Sequence, residues 1–176
     1  MLSIKSLNQY YGESHTLWDL DIEIEKGKCT CLMGRNGVGK TTLLGCIMGL
    51  IKPESGSIMF KGQNIVEVSA EKRSPLGIGY VPQGRQIFPM LTVEENLQIG
   101  LPVRKDKSKQ IPEMVYDMFP VLKEMKNRRG GDLSGGQQQQ LATGRALVIE
   151  PDLLILDEPT EGIQPNLVAE IGDSIR

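Results

Sequence analysis

The sequence has few metal-binding or nucleophilic residue types: one histidine, His15, and three cysteines, Cys29, Cys31 and Cys46. With one histidine we expect neither a histidine-based metal site nor a catalytic triad. Cys29 and Cys31 form a C-x-C spacing without a second pair of ligands, so small apolar core residues are the better interpretation. We expect both side chains on one face of a buried strand and Cys46 in the helix that follows.

Long apolar runs and an excess of one charge are also absent. No run approaches the roughly 18 residues of a membrane-spanning helix, and no signal-peptide pattern is present. We therefore expect a cytosolic, reduced protein. The 20 basic and 22 acidic residues give a net charge of −2, and no basic stripe indicates a nucleic-acid partner. The basic run 104–109 is interpreted as a solvated loop rather than a binding patch.

The glycine-rich stretch 34–42 is the most informative feature of the chain. It matches G-x-x-x-x-G-K-[ST], the P-loop, in which backbone N–H groups surround phosphate oxygens. Lys40 would form ion pairs with the β- and γ-phosphates. The Thr41 hydroxyl would bind Mg²⁺, and the Thr42 hydroxyl would donate a hydrogen bond to phosphate. The apolar segment 28–33 predicts a short buried strand before the loop, and 41–50 predicts a helix after it.

The N-terminal segments predict an antiparallel part of the sheet. Residues 2–7 predict an edge strand, and residues 17–25 alternate apolar and acidic side chains as a half-buried strand does. Tyr11 lies between them. It is either a packed edge residue or an aromatic that stacks on a base held by the P-loop.

The middle of the chain changes from strands to helices. Residues 57–61 and 77–81 predict strands, and the second leads into Gln83, which either reaches a metal or its water or is an ordinary loop residue. From 85 to 140 we predict a helical insertion. A capping box at 92–95 opens one helix, and Pro120 divides a methionine-rich helix at 111–126 whose methionines fit a core better than a cofactor site.

Two further motifs lie between residues 133 and 158. L-S-G-G-Q at 133–137 runs into a predicted helix, 138–149, and is a second possible anion site. The apolar strand 152–157 ends in Asp157 and Glu158. After a strand these carboxylates could be a helix cap, but with a P-loop upstream they favour Mg²⁺ binding by Asp157 and proton abstraction from water by Glu158.

Together these motifs resemble the ATP-binding subunit of ABC transporters, over nearly the whole chain. L-S-G-G-Q is the most specific mark of that family. The resemblance implies an α/β P-loop NTPase fold of the ABC ATPase type: a mixed sheet core with N-terminal antiparallel strands and an inserted helical subdomain. It implies one nucleotide-binding domain over 1–176, with an α/β core at 1–84 and 141–176, a helical subdomain with the signature at 85–140, and the C-terminal part of the domain absent.

The resemblance also implies roles at matching positions. Glu158 would be the general base, supported by Gln83 and Lys40. Thr41, Gln83 and Asp157 would hold Mg²⁺. ATP would be bound by Tyr11, Gly34, Arg35, Asn36, Gly37, Val38, Gly39, Lys40, Thr41, Thr42, Ser134, Gly135, Gly136 and Gln137. The last four would contact the γ-phosphate on a second ATPase subunit, alike or different, so that two chains enclose two ATP molecules.

The family resemblance further implies an importer that hydrolyses ATP to ADP and phosphate. Its partners would be transmembrane permease subunits and, indirectly, a solute-binding protein, with the chain peripheral on the inner face of the membrane. The runs at 137–140 and 158–165 resemble the branched-chain amino acid and urea uptake branch, and E-G-I-Q-P at 161–165 is closest to the second urea transporter ATPase subunit.

Two departures from the family pattern are expected to matter. Gln164 stands where many members have an aspartate that crosses to the other subunit. The family also has a histidine about thirty residues after the catalytic glutamate, which lies beyond Arg176, and the amphipathic pattern of 167–175 stops there. We therefore expect a truncated chain that binds ATP and hydrolyses it poorly.

Two other readings stay open. One is a soluble, non-transport ABC ATPase of DNA repair or translation, although such proteins usually have long coiled-coil inserts or tandem cassettes. The other is a nucleotide-binding module without turnover. Lys40, Asp157 and Glu158 argue against that module for a longer parent protein, and the early end of the chain argues for it here.

Overall fold

The computed structural model describes residues 1–159. They divide into two compact units, Met1–Arg73 and a second unit that begins at Ser74. None of the helices in the described part of the chain has the length and apolar character needed to cross a membrane.

The first unit is a four-stranded antiparallel sheet with one helix. The strands follow the order β2-β1-β3-β4. Alternating side chains are buried along β1 and half-buried along most of β2, because successive residues of a strand point to opposite sides. Helix α1 packs against β2. The elements are β1 (Leu2–Tyr11), β2 (Ser14–Ile24), α1 (Lys40–Ile47), β3 (Ser55–Phe60) and β4 (Gln63–Asn64).

The prediction that the first strand is an edge strand is wrong. β1 is hydrogen-bonded on both sides, to β2 from Leu2↔Ile24 and to β3 from Leu2↔Phe60. The reason is that residues 55–60 pair with β1 after α1, a long-range contact that the local pattern of residues 2–7 does not contain. The predicted alternation in β2 is confirmed.

The predicted buried strand at 28–33 is also wrong. These residues form no strand, and Met33 has 85% of its surface exposed. Cys29 and Cys31 are exposed rather than in the core, whereas Cys46 is buried as expected. An extended segment becomes a strand only when a neighbour satisfies its backbone N–H and C=O groups, and no strand of residues 1–159 pairs with this segment.

The second unit combines a short parallel strand pair with a group of helices. β5 and β6 pair in parallel from Ile78↔Leu153 to Val81↔Leu156, so their carboxyl ends lie side by side. Helix α2 begins at the last residue of the first unit and continues into the second. The elements are α2 (Arg73–Leu76), β5 (Ile78–Val81), α3 (Val93–Gln98), α4 (Glu113–Met118), α5 (Pro120–Glu124), α6 (Gly135–Leu147) and β6 (Leu153–Leu156).

The predicted helix signals of the second unit are confirmed. Thr92 and Glu95 form a capping box at the start of α3, and Pro120 begins α5 directly after α4 ends. The helices enclose an apolar cluster around Leu97, Leu122 and Leu141, and each of these side chains is 0% exposed. The assignment of 85–140 as an inserted subdomain stays a prediction.

The interpretation of 104–109 as a solvated loop is wrong for its first residue. The Arg104 side chain is only 6% exposed and forms ion pairs with Asp106 and Glu150. Its Nη1 also donates a hydrogen bond to the Val148 carbonyl oxygen at 2.8 Å. Arg104 therefore ties this segment to the end of α6, because a buried guanidinium needs hydrogen-bond partners.

Candidate functional site

The stretch 34–42, called the phosphate loop below, is shaped by its glycines. Gly37 and Gly39 have φ angles of 82° and 97°, a region that residues with a Cβ seldom adopt. A Cβ on Gly39 would lie 2.9 Å from Leu17 Cδ2. The backbone at Gly39 also begins α1, and no side chain caps that helix start. Its first N–H groups are thus the kind of donors that bind phosphate at helix N-termini.

Two side chains of the phosphate loop make defined contacts. The Lys40 ammonium donates to the carbonyl oxygens of Gly34 and Arg35, at 2.8 and 2.9 Å, and so holds the first part of the loop beside the start of α1. Thr42 is buried, and its Oγ1 lies 3.3 Å from the Tyr11 hydroxyl. The structure therefore brings Tyr11 to the phosphate loop while leaving it 53% exposed.

Gln83, Asp157 and Glu158 meet at the carboxyl ends of β5 and β6 and are called the strand-end cluster below. Gln83 Nε2 donates a hydrogen bond to Glu158 Oε2 at 3.0 Å, which links residues 75 positions apart in the chain. The parallel pairing of β5 and β6 brings them together. The N–H of Asp157 extends the ladder by donating to the Val81 carbonyl oxygen at 2.9 Å.

The two carboxylates of the strand-end cluster have different surroundings. Asp157 is only 6% exposed. Burial, followed by the negative charge of Asp157, raises the pKa of the Tyr80 hydroxyl. Glu158 is exposed and has a φ of 48°, an unusual conformation for a residue with a Cβ. One buried acid and one accessible acid at a strand end suit a metal ligand and a base, respectively.

The signature stretch begins α6. Ser134 Oγ accepts a hydrogen bond from the Gln137 N–H, and Gln137 Oε1 accepts one from the Ser134 N–H, so the two residues form a capping box. Ser134 is exposed, whereas Gly136 is buried. The capping box fixes the direction of the helix start while the serine stays accessible.

The predicted site residues thus form groups within each unit. Tyr11 and the phosphate loop belong to the first unit, and the strand-end cluster and the signature stretch belong to the second. Gln164, the run 161–165 and the predicted amphipathic helix at 167–175 lie outside the described residues.

The predicted magnesium ligands are Thr41, Gln83 and Asp157. Within residues 1–159 no group of three or more His, Cys, Asp or Glu side chains could hold a metal ion. A hydroxyl, an amide and one carboxylate are nevertheless the hard oxygen donors that fit Mg²⁺, which is usually held by one or two carboxylates together with substrate phosphates. Thr41 belongs to the first unit and Gln83 and Asp157 belong to the second, so the joint magnesium site stays a prediction.

One residue of the second unit was missed by sequence reasoning. Arg145, in the last turn of α6, donates from Nη2 to the Gln86 carbonyl oxygen at 2.8 Å, and its guanidinium lies 5.1 Å from the centre of the Phe88 ring. The available signal was a lone cation in the otherwise uncharged run 138–149, which indicates a specific partner for its guanidinium.

Comparison with known proteins identifies the class. Residues 17–161 match the model of the ABC transporter family. The chain is 42% identical, over 99% of its length and 76% of the relative, to the high-affinity branched-chain amino acid transport ATP-binding protein BraG of Pseudomonas aeruginosa. It is also 42% identical, over 99% of its length and 75% of the relative, to the probable branched-chain amino acid transport ATP-binding protein LivF of Archaeoglobus fulgidus.

Solved structures agree with this assignment. The dimeric post-hydrolysis state of the ATP-binding cassette MJ0796, with ADP and phosphate, has a TM-score of 0.85 at 25% identity, over 99% of this chain and 81% of that one. The chain therefore belongs to the ABC transporter family. It has the ABC ATPase fold, and its enzymatic class is that of an ATPase which binds and hydrolyses ATP.

Proposed function

We propose that this chain is the ATP-hydrolysing subunit of an importer for a small polar solute. The observation that carries this proposal is the hydrogen bond between Gln83 and Glu158 beside the buried Asp157. An accessible carboxylate next to an amide at the carboxyl edge of parallel strands is suited to orient a water molecule and remove its proton.

The nucleotide is proposed to bind on the phosphate loop. Gly34, Arg35, Asn36, Gly37, Val38 and Gly39 supply backbone N–H groups, and Lys40 supplies a positive charge. Thr41 and Thr42 supply hydroxyls. Tyr11 supplies an exposed ring for the base, and its hydroxyl contact with Thr42 supports that role because it fixes the ring beside the loop.

The strand-end cluster is proposed to perform the chemistry. Asp157 and Gln83 would hold Mg²⁺, which would supply charge neutralisation at the phosphates when it is bound. Thr41 keeps the magnesium role that the family resemblance implies for the phosphate loop. Glu158 accepts a proton from the attacking water. Gln83 orients Glu158 through the bond from its amide nitrogen, and Lys40 stabilises negative charge on the phosphate oxygens.

A second ATPase subunit is proposed to complete the site. Ser134, Gly135, Gly136 and Gln137 would face the nucleotide held by that subunit, with 85–140 as the helical part that carries them and with 1–84 and 141–176 as the α/β core. The exposed Ser134 supports this arrangement, and the structural relative MJ0796 is described as a dimer.

The solute is proposed to belong to the branched-chain amino acid and urea group. The identity to BraG and LivF supports branched-chain amino acids or their amides. The run 161–165 supports urea. In either case the partners are transmembrane permease subunits, with a solute-binding protein acting indirectly and no nucleic acid involved. The chain would lie on the cytoplasmic face of the cell membrane, attached through the permease.

Single-turnover phosphate release tests the catalytic proposal. The wild type, Glu158→Gln and the matched control Glu124→Gln, an exposed glutamate on α5, are mixed with MgATP. We expect Glu158→Gln to slow release by about 100- to 10,000-fold, since a general base contributes that much, and Glu124→Gln to release phosphate at the wild-type rate. Equal rates in all three proteins would contradict the proposed role of Glu158.

Uptake by the assembled transporter in vesicles tests the solute. We expect accelerated ATP hydrolysis and accumulation with leucine or with urea. If DNA or RNA stimulates hydrolysis and neither solute does, the transport proposal is wrong.

A further inference from the structure

Three consecutive residues after β5 have left-handed backbone conformations. Gly84, Arg85 and Gln86 have consecutive φ angles of 76°, 66° and 46°. Glycine adopts such angles readily, but arginine and glutamine do not. Residues with this strain persist when surrounding contacts hold them. The segment directly follows Gln83 of the strand-end cluster and leads to the helices.

The contacts that hold this segment come from α6 and α3. Arg145 on α6 donates to the Gln86 carbonyl oxygen and stacks on Phe88. On the other side, Asn96 of α3 accepts from the Phe88 N–H at 2.8 Å and donates to its carbonyl oxygen at 2.9 Å. The segment is therefore fixed at Phe88 by α3 and at Gln86 by α6, two residues closer to Gln83.

Arg145 is half-buried, and its Nη1 is buried without a hydrogen-bond partner among the described residues. Burial lowers the pKa of its guanidinium, although arginine remains charged at any assay pH. A buried charge is retained at a cost that specific partners must offset. Its partners are a backbone carbonyl and an aromatic face, and both belong to the same short segment.

We propose that Arg145 is a positioning residue for hydrolysis: by holding Gln86 in its left-handed conformation it sets Gln83 opposite Glu158. Its proposed role is indirect, through Gln83. The same contact ties the last turn of α6, the helix that begins with the signature stretch, to the segment that follows Gln83. This inference rests on the proposed roles of Gln83 and Glu158.

Arg104 provides a matched control within the second unit. Like Arg145, it donates to a backbone carbonyl oxygen at 2.8 Å, in this case that of Val148. It contacts neither the 84–88 segment nor the strand-end cluster. Arg104→Met therefore removes the same kind of bond from the same unit, together with the ion pairs to Asp106 and Glu150, and shows the effect of losing an arginine with a structural role alone.

Hydrogen exchange tests the structural half of the inference without needing turnover. We expect the amides of 84–88 to exchange faster in Arg145→Met than in the wild type, with Arg145→Lys between the two. In Arg104→Met, exchange in this segment stays as in the wild type. Unchanged exchange at 84–88 in Arg145→Met would overturn the inference.

A double-mutant cycle tests the functional half. We expect Arg145→Met to lower kcat by about 10- to 100-fold, the scale of a small misplacement, with an unchanged KM for MgATP. In a Gln83→Ala background the same substitution should have no further effect, because coupled residues are not additive. If Arg145→Met costs as much with Gln83→Ala as without it, Arg145 acts only on stability. If Glu158→Gln retains turnover, it is the proposed function that fails, and the exchange result still decides what holds the segment.

Discussion

Residues 28–33 and β6 are short apolar segments of similar character, yet only one of them is a strand. β6 pairs in parallel with β5 along four residues, and it delivers Asp157 and Glu158 to its end. The segment 28–33 leads into the phosphate loop without a paired neighbour among residues 1–159, and its side chains are exposed. The comparison shows that an apolar run supplies the capacity for a strand, whereas a hydrogen-bonding partner makes it one.

The two groups of predicted site residues that follow these segments are built differently as well. The phosphate loop is defined by backbone conformation, with left-handed glycines and a helix start that has no side-chain cap. The strand-end cluster is defined by side chains that meet across a strand pair. Substitutions should therefore affect binding in the first region and turnover in the second.

The largest expected effects distinguish a loss of MgATP binding from a loss of turnover. Lys40→Met should weaken MgATP binding by about 10- to 100-fold, because hydrogen bonds to a charged group contribute about 1.5–3 kcal/mol. Glu158→Gln should leave the Kd for MgATP within about twofold of the wild-type value, while it slows turnover by about 100- to 10,000-fold. Isothermal titration with both variants measures the contrast. If Glu158→Gln also abolished binding, the division between the two regions would be wrong.

Thiol labelling tests directly whether Cys29 and Cys31 in the segment 28–33 are exposed while Cys46 on α1 is buried. Burial raises the pKa of the Cys46 thiol to about 11, so its reactive thiolate is scarce at neutral pH. Cys29 and Cys31 are exposed. We expect Cys46 to react at least about 100-fold more slowly, as followed by peptide mass at pH 7.5, and to react readily in urea as a control. Equally slow labelling of all three thiols would mean that 28–33 is buried in solution.

The two left-handed glycines of the phosphate loop offer a finer test. Gly39→Ala should lower the free energy of unfolding by about 2–3 kcal/mol, because the new Cβ adds a clash with Leu17 to the backbone strain. At Gly37 a Cβ would meet no atom within 4 Å. Gly37→Ala should therefore lower the free energy of unfolding only by the backbone strain of the left-handed conformation, about 1 kcal/mol. Urea unfolding measures both. Equal losses would show that the loop relaxes around Leu17.

The smallest expected effect concerns the capped helix starts. Ser134→Ala and Thr92→Ala each remove the side-chain acceptor of a capping box, so each should cost about 1 kcal/mol of stability. Only Ser134→Ala should also slow turnover, because only Ser134 is proposed to face a nucleotide. Equal turnover in the two variants would mean that Ser134 acts only as a helix cap and does not face a nucleotide.

The sequence by itself determined the local features of this protein. The glycine spacing of 34–39 predicted a phosphate-binding loop, the alternation in β2 predicted a half-buried strand, and Thr92 and Pro120 marked a helix start and a helix division. The structure confirms the half-buried strand, the helix start and the division, and it gives Gly37 and Gly39 the conformation that the loop needs. Such features depend on residues within a few positions of each other, through caps, turns and side-chain period.

Only the tertiary structure decided the long-range features. β1 is central because β3 returns to pair with it. Residues 28–33 stay exposed because no described strand reaches them, and Arg104 is buried because Glu150 and the end of α6 meet it. Likewise, Gln83 meets Glu158, and Arg145 meets Gln86, through a parallel pairing and a helix packing that join residues more than 50 positions apart. Such contacts depend on which surfaces the whole chain brings together, and this information is not contained in any local pattern.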